Sequence, residues 1–270
     1  QRKILDHYVN DRLRMLAASH DLYDKPQVAR ELGHLMEMRN RPNEALRHYN
    51  DAIARDPDRP GPYVAIGMMH QRRGAIDDAM SLYRRALEID PHHAEAHLNL
   101  GVALRAQGRT VEAIEHYRLA IAADPDNERA HNNLGAALGA SGRVEEALAS
   151  FRRAVELDPT FVDAQANLGM TLLMAGRIAE AGAHYRAAVE ALFDSEQALA
   201  LAMEGARLTG GHDAGLLLAL SDAQVKAGQH REAMAALAQA AAVADRNDVA
   251  LQEMIEARRR KLSQRTTAQR

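Results

Sequence analysis

The chain has 270 residues, a formal net charge of -3 and no cysteine. So small a charge excludes the broad positive field of a general nucleic-acid binder, and the missing thiol removes disulfides, thiol catalysis, zinc–thiolate sites and thiol-attached haem together. Hydrophobic residues make up 47% but aromatics only 4%, so the core must be built largely from Ala and Leu, which suits closely packed helices.

No apolar run approaches the ~20 residues that cross a bilayer as a helix, and no signal-peptide pattern opens the sequence. The first residue is Gln1 rather than Met, which suggests a processed chain or a piece of a longer one, with any membrane segment upstream. Over residues 1–24, Leu5, Val9, Leu13 and Leu16 form one stripe on a helix expected from about Arg2 to Ala18. It reads as an N-terminal capping or linker helix. The alternative is the continuation of an upstream membrane helix or domain, with Gln1-Arg2-Lys3 as a headgroup-facing flank.

From residue 25 to 193 the sequence is periodic. Pro57, Pro91, Pro125 and Pro159 stand 34 residues apart, and Gly33, Gly67, Gly101, Gly135 and Gly169 keep the same interval. So do Gly74, Gly108, Gly142 and Gly176, the alanines 45, 79, 113, 147 and 181, and the rings of Tyr49, Tyr83, Tyr117, Phe151 and Tyr185. A unit of this size is one supersecondary element that buries its apolar face only by stacking on neighbours. In the third unit, apolar residues recur at helical spacing through Leu98, Leu100 and Leu104, stop at Gly108, and resume through Ala113, Ile114, Tyr117 and Ala120. This predicts two helices of about a dozen residues, with Gly108 turning the chain and Asp124-Pro125 ending the second.

Residues 194–212 interrupt the period: Ala198, Ala202 and Ala206 read as an inserted helix closed by Gly210-Gly211. A sixth, degenerate pair follows over 213–246, with Gly228 and Ala233 in phase. Residues 247–270 read as a C-terminal capping helix and basic tail, with Leu251, Met254 and Ile255 on one side. The cluster Arg258-Arg259-Arg260-Lys261 is expected to be a solvated helix end, nucleic-acid binding being the weaker alternative.

The order Leu100-Gly101, Leu104, Ala113, Tyr117, Ala120, Pro125, with its copy Leu134-Gly135, Leu138, Ala147, Phe151, Ala154, Pro159, resembles the tetratricopeptide repeat over residues 26–192 and more loosely over 213–245. The resemblance implies an all-α, right-handed superhelical solenoid of antiparallel helix pairs. One departure is the early aromatic, present as Tyr63 but replaced by His97, His131 and Gln165, which leaves local packing there open. The stretch from Ala198 to Leu218 is also similar to tetratricopeptide portions of bacterial membrane glycosyltransferases.

Asn99, Asn133 and Asn167 each stand immediately before the repeat leucine. An amide has both donor and acceptor, so an even row of them serves the main chain of an extended peptide whatever its side chains. The row resembles the asparagine ladder of tetratricopeptide domains of O-linked N-acetylglucosamine transferases, which implies that it lines a concave groove. Asn132 adjoins it, Ala136 leaves room for a ligand backbone, and Leu98, Val102 and Met170 are placed to receive apolar side chains. The alternative is that these asparagines bridge neighbouring helices. The basic clamp of chaperone-binding members is absent, since the corresponding pairs are Arg30/His34, Val64/Met68, Leu98/Val102 and Asn132/Ala136.

No catalytic constellation emerges. His93 and His97 are one helical turn apart, with His92 beside them, but no carboxylate stands as a third ligand, so packing or exposure is expected rather than a metal. His48, His116 and His184 share one phase and are expected to recur at the surface. Acidic residues such as Asp77-Asp78 and Glu145-Glu146 fall at helix starts, where they favour the dipole. The expectation is therefore a non-catalytic protein-interaction scaffold with a protein or peptide partner, no cofactor, no metal and no nucleic acid. Its alternatives are an assembly subunit of a larger, membrane-tethered complex and an accessory substrate-selecting domain of a multi-domain glycosyltransferase.

Overall fold

The computed structural model describes residues 26–192, 196–245 and 248–268. The helix expected over residues 2–18 lies outside them. The described residues form helices and turns with no strand, and the chain divides into two compact units, 1–126 and 127–270.

The first unit holds three helix pairs. They are α1 (Pro26–Met38) with α2 (Pro42–Arg55), α3 (Pro60–Arg72) with α4 (Ile76–Ile89), and α5 (Ala94–Ala106) with α6 (Thr110–Ala123). The second unit opens with α7 (Glu128–Ala140) and α8 (Val144–Leu157), then α9 (Val162–Met174) and α10 (Ile178–Ala191). There follow α11 (Glu196–Leu208), the pair α12 (Ala214–Lys226) and α13 (His230–Val243), and α14 (Val249–Ala268). Within a pair the two helices pack extensively on one another, and inside each unit the second helix of a pair also packs on the first helix of the next.

The intra-pair turn is made by glycine in the left-handed region, φ +80° at Gly74, +78° at Gly108, +74° at Gly142 and Gly176. Around Gly108 the orphan carbonyls of α5 are satisfied: Gly108 N–H donates to Arg105 O (2.9 Å) and Arg109 N–H to Leu104 O (2.9 Å). In the first pair Asn40 takes this place at φ 56°, a conformation asparagine tolerates better than other side chains. The second helix then starts with a repeated ion pair one turn long. Arg109 grips Glu112 with two bonds (2.7 and 2.6 Å), Arg143 grips Glu146 (2.6 and 2.6 Å), and Arg177 does the same to Glu180.

The periodic glycine and ring are one contact. A β-carbon added at Gly33 or Gly67 would fall 2.5 Å from the Tyr49 or Tyr83 ring, at Gly101 2.6 Å from Tyr117, and at Gly135 2.8 Å from Phe151. The ring of the second helix therefore presses directly against the backbone of the first, and only hydrogen at that position leaves space. Alanines at 45, 52, 79, 86, 113, 120, 147 and 154 are fully buried between the helices.

The interruption in the second unit is accommodated by three further glycines. α11 packs on both α10 and α12, and its Gly205 lies so close to the Tyr185 ring that a β-carbon there would stand 2.9 Å from it. Gly182 of α10 admits Asp213, which caps α12 by accepting from Leu216 N–H at 2.6 Å, and Gly215 lets Arg186 cross α12. Gly210 and Gly211 end α11 with φ of +64° and +66°. Finally α14 lays Ile255 and Leu262 into the core of this unit. In its basic cluster, Arg258 clasps Asp222 of α12 at 2.8–3.0 Å and Arg259 pairs with Glu256 at 2.8 Å. Arg260 Nε also donates to Glu256 O at 3.4 Å, so three of the four cations are engaged on the folded surface.

Candidate functional site

The first helices present one face on which side chains recur at 34-residue intervals. In the first unit this face lines a groove of about 820 Å³, to which α1 contributes Glu31, His34 and Glu37, α3 contributes Gly61, Ala65, Met68 and Arg72, and α5 contributes Glu95. Glu37 is fixed there, accepting from the Tyr49 hydroxyl at 2.9 Å and pairing with Arg72. The same repeat positions in the second unit are Asn133 and Asn167, in phase with Glu31 and Ala65, and Ala136 and Met170, in phase with His34 and Met68.

The three asparagines of the row are not equivalent. Asn99, in the first unit, is 7% exposed and turns its Nδ2 onto Glu95 O of its own helix at 2.9 Å. In the second unit, Asn167 Nδ2 donates to Asn132 Oδ1 across α9 and α7 at 3.0 Å. Asn132 occupies the place that Val64 and Leu98 fill in the first unit, and all three are buried; a polar group put there needs a partner, and Asn167 supplies it. Asn133 is half-buried and has no hydrogen-bond partner among the described residues. One asparagine of the row thus bridges helices, and another presents an unused amide.

Around Asn133 the face is lined by small and flexible side chains, with the exposed Arg129 and Asp163 at the repeat positions of Glu95. Ala136 is half-buried and Ala140 exposed, while Met170 and Met174, one turn apart on α9, are 41% and 63% exposed. Val102 of the first unit is half-buried, whereas Leu98 belongs to the core. Thioethers this exposed form a deformable apolar surface.

The position of the replaced aromatic proves to conserve a contact rather than a shape. Tyr63 Oη donates to Pro57 O (3.1 Å), Gln165 Nε2 to Pro159 O (2.9 Å), and His97 Nε2 lies 2.9 Å from Pro91 O. The phenol, amide and imidazole all reach back to the carbonyl of the repeat proline. The other end of two of these side chains meets a histidine of the second helix: His97 Nδ1 is 3.0 Å from His116 Nδ1, and His184 Nδ1 is 2.7 Å from Gln165 Oε1. His116 and His184 are therefore half-buried, unlike the surface residues expected from their period. Burial, and then the neighbouring His97, hold the His116 imidazole below its ordinary pKa; burial lowers that of His184. His93 caps α5, its Nδ1 accepting from Ala96 N–H at 3.2 Å. Among the described residues no three His, Cys, Asp or Glu side chains converge as metal ligands, and no helix is long and apolar enough to cross a membrane.

Burial also pushes the Tyr185 hydroxyl up to about 12. It has no partner, whereas Tyr83 donates to Gln71 at 2.8 Å. No feature of sequence spacing distinguishes these rings; the difference lies twelve residues upstream, where Glu37 and Gln71 are replaced by Leu173.

Comparison with known proteins gives one family and one fold. The Tetratricopeptide repeat family model matches residues 30–94, 64–128 and 132–196. No curated protein matches the chain in sequence. Among solved structures, PilW, a type IV pilus biogenesis factor, is 20% identical over 85% of this chain and 97% of its own, with a TM-score of 0.59. MamA from Desulfovibrio magneticus RS-1 is 23% identical over 64% and 98%, with a TM-score of 0.54. YrrB, described as a TPR protein with an unusual peptide-binding site, is 21% identical over 78% and 97%, with a TM-score of 0.50. At these identities the likeness is one of fold. Together with the repeated glycine–ring contacts and helix pairs, the family match over more than half of the sequence shows that this chain belongs to the tetratricopeptide repeat family.

Proposed function

We propose that the chain is a non-catalytic scaffold that binds a segment of a partner protein against the first-helix face of its repeats, with the second unit holding an apolar segment. The observation that carries this reading is the Asn133 amide, half-buried and unpartnered beside Ala136, Met170 and Met174. A ligand main chain supplies the donor and acceptor that Asn133 lacks, and the Asn132–Asn167 bridge still leaves the Asn132 NH2 and the Asn167 Oδ1 for further bonds. The small side chains of α7 let a backbone approach, and the methionines adapt to whatever apolar groups it bears. Because the face is carried on packed helices, little ordering of the scaffold opposes binding. YrrB, described as a TPR protein with an unusual peptide-binding site, has the same fold, which is consistent with this reading.

A random peptide library displayed on phage and selected on the purified chain tests it. Selected peptides should bind the parent chain and lose about tenfold or more in affinity on the chain bearing Asn133→Ala, while the helical circular dichroism is retained, since a half-buried amide with no partner contributes little to folding. A library that yields no binder, or binders indifferent to that change, refutes the groove reading.

A further inference from the structure

The first turn of α5 contains a hydrogen-bond chain whose direction is fixed by chemistry. A peptide carbonyl only accepts, so the contact between His97 Nε2 and Pro91 O (2.9 Å) requires a proton on Nε2. A neutral His97 then presents a bare Nδ1 to His116, and at 3.0 Å the His116 Nδ1 must carry the donated proton. One added proton is accepted on either ring, with the two Nδ1 atoms still sharing a single hydrogen. A second leaves N–H facing N–H between two cations whose centroids are 5.2 Å apart, and the contact has to open.

The fifth repeat holds an internal control. Gln165 makes both bonds, donating to Pro159 O and accepting from His184 Nδ1. Its Oε1 remains an acceptor whatever the charge on His184, so protonation at His184 Nε2 leaves that seam intact.

We propose that the His97–His116 contact is a proton-sensitive latch between α5 and α6 that opens in acid, while the Gln165–His184 seam between α9 and α10 stays closed. Beside His97 of α5, the charged groups that act on His116 are Arg84 of α4 and Glu112 and Glu115 of α6. Arg84 opposes its protonation; the two carboxylates favour it, and Glu112 is already held by Arg109. Burial and His97 outweigh them, so the folded imidazole titrates below its unfolded value of 6.5. The sign follows: the latch contributes fully above about pH 6.5 and is lost as the pH falls through the depressed folded value.

The test titrates the full chain from pH 8 to 4.5, following histidine ring nitrogens by NMR and amide hydrogen exchange in α5–α6 and α9–α10. At pH 8, His97 should be the Nε2–H tautomer with a bare Nδ1. His116 should have a lower midpoint than His184, and at pH 5 exchange in α5–α6, corrected for intrinsic rate, should accelerate at least tenfold more than in α9–α10. His97→Gln, which copies the fifth repeat, should raise the His116 midpoint toward that of His184 and remove the excess exchange. An Nδ1–H tautomer of His97 at pH 8, or a His116 midpoint and exchange ratio unchanged by His97→Gln, overturns the latch. Should that variant not fold, the tautomer and the parent exchange ratio decide alone.

Discussion

The two units use the same helix pair but expose different chemistry on the same repeat positions. In the first, Glu31, His34, Glu37 and Glu95 line the face, and the carboxylate of Glu37 is tied to a core tyrosine. In the second, the face carries asparagines, alanines and exposed methionines, with Arg129 and Asp163 at the repeat positions of Glu95; of the rings beneath it Phe151 has no hydroxyl and that of Tyr185 is unpaired, as is that of Tyr117 in the first unit. The period preserves what one helix must present to the next, namely a hydrogen opposite a ring and a methyl at each close crossing. It leaves free what the first helix shows outward. A repeat family of this kind separates stability from recognition residue by residue.

The largest effects should come from the feature the units share. Gly67→Ala and Gly135→Ala each press a methyl into a ring, and overpacking of this sort costs about 1–3 kcal/mol. The loss should be greater at Gly67, where the added carbon falls 2.5 Å from Tyr83, than at Gly169, where it falls 3.0 Å from Tyr185. Thermal and urea melts of the three variants measure the order, and equal melting to the parent would mean that the ring contact does not constrain the pair.

Where the rings differ in partner, the effect should change sign. Tyr83→Phe abandons a bond to Gln71 and should lose roughly 1 kcal/mol, whereas Tyr185→Phe removes a buried hydroxyl with no partner and should be neutral or stabilising by a similar amount. Urea midpoints of the two variants sharpen the comparison; a substantial loss in Tyr185→Phe would show that its hydroxyl is satisfied in solution.

The smallest effects concern the turns. Gly142→Ala places a β-carbon at φ +74° with no steric neighbour within 4 Å, so only backbone strain remains, about 1 kcal/mol. Asn40→Gly relieves a strained φ of 56° but frees the unfolded chain, and should change stability by no more than about 0.5 kcal/mol in either direction. Melting curves that rank these two the other way would break the equivalence of the first turn with the later ones.

Much of this was legible in the residues. The all-α repeat follows from glycine, alanine, ring and proline keeping one interval, because each is dictated by a local constraint: a left-handed turn, a close crossing, a gap to fill, a helix end. The asparagine row was visible as well, but its members were indistinguishable. Which amide is free depends on Asn132 standing where Val64 and Leu98 stand elsewhere, and that matters only once α9 lies against α7.

What the sequence by itself determined, then, is the unit and its period, since steric and backbone requirements act within a few residues or across one pair. The partnering of polar side chains was decided only by tertiary structure. A hydrogen bond depends on a few tenths of an ångström and on direction, and the contacts of His116 with His97, His184 with Gln165, and Asn167 with Asn132 join residues 19 to 35 positions apart. The glycines that admit α11 belong to the same class: Gly182, Gly205 and Gly215 follow no period, because each answers a single neighbour, Asp213, Tyr185 or Arg186, brought against it by the interruption of the repeat.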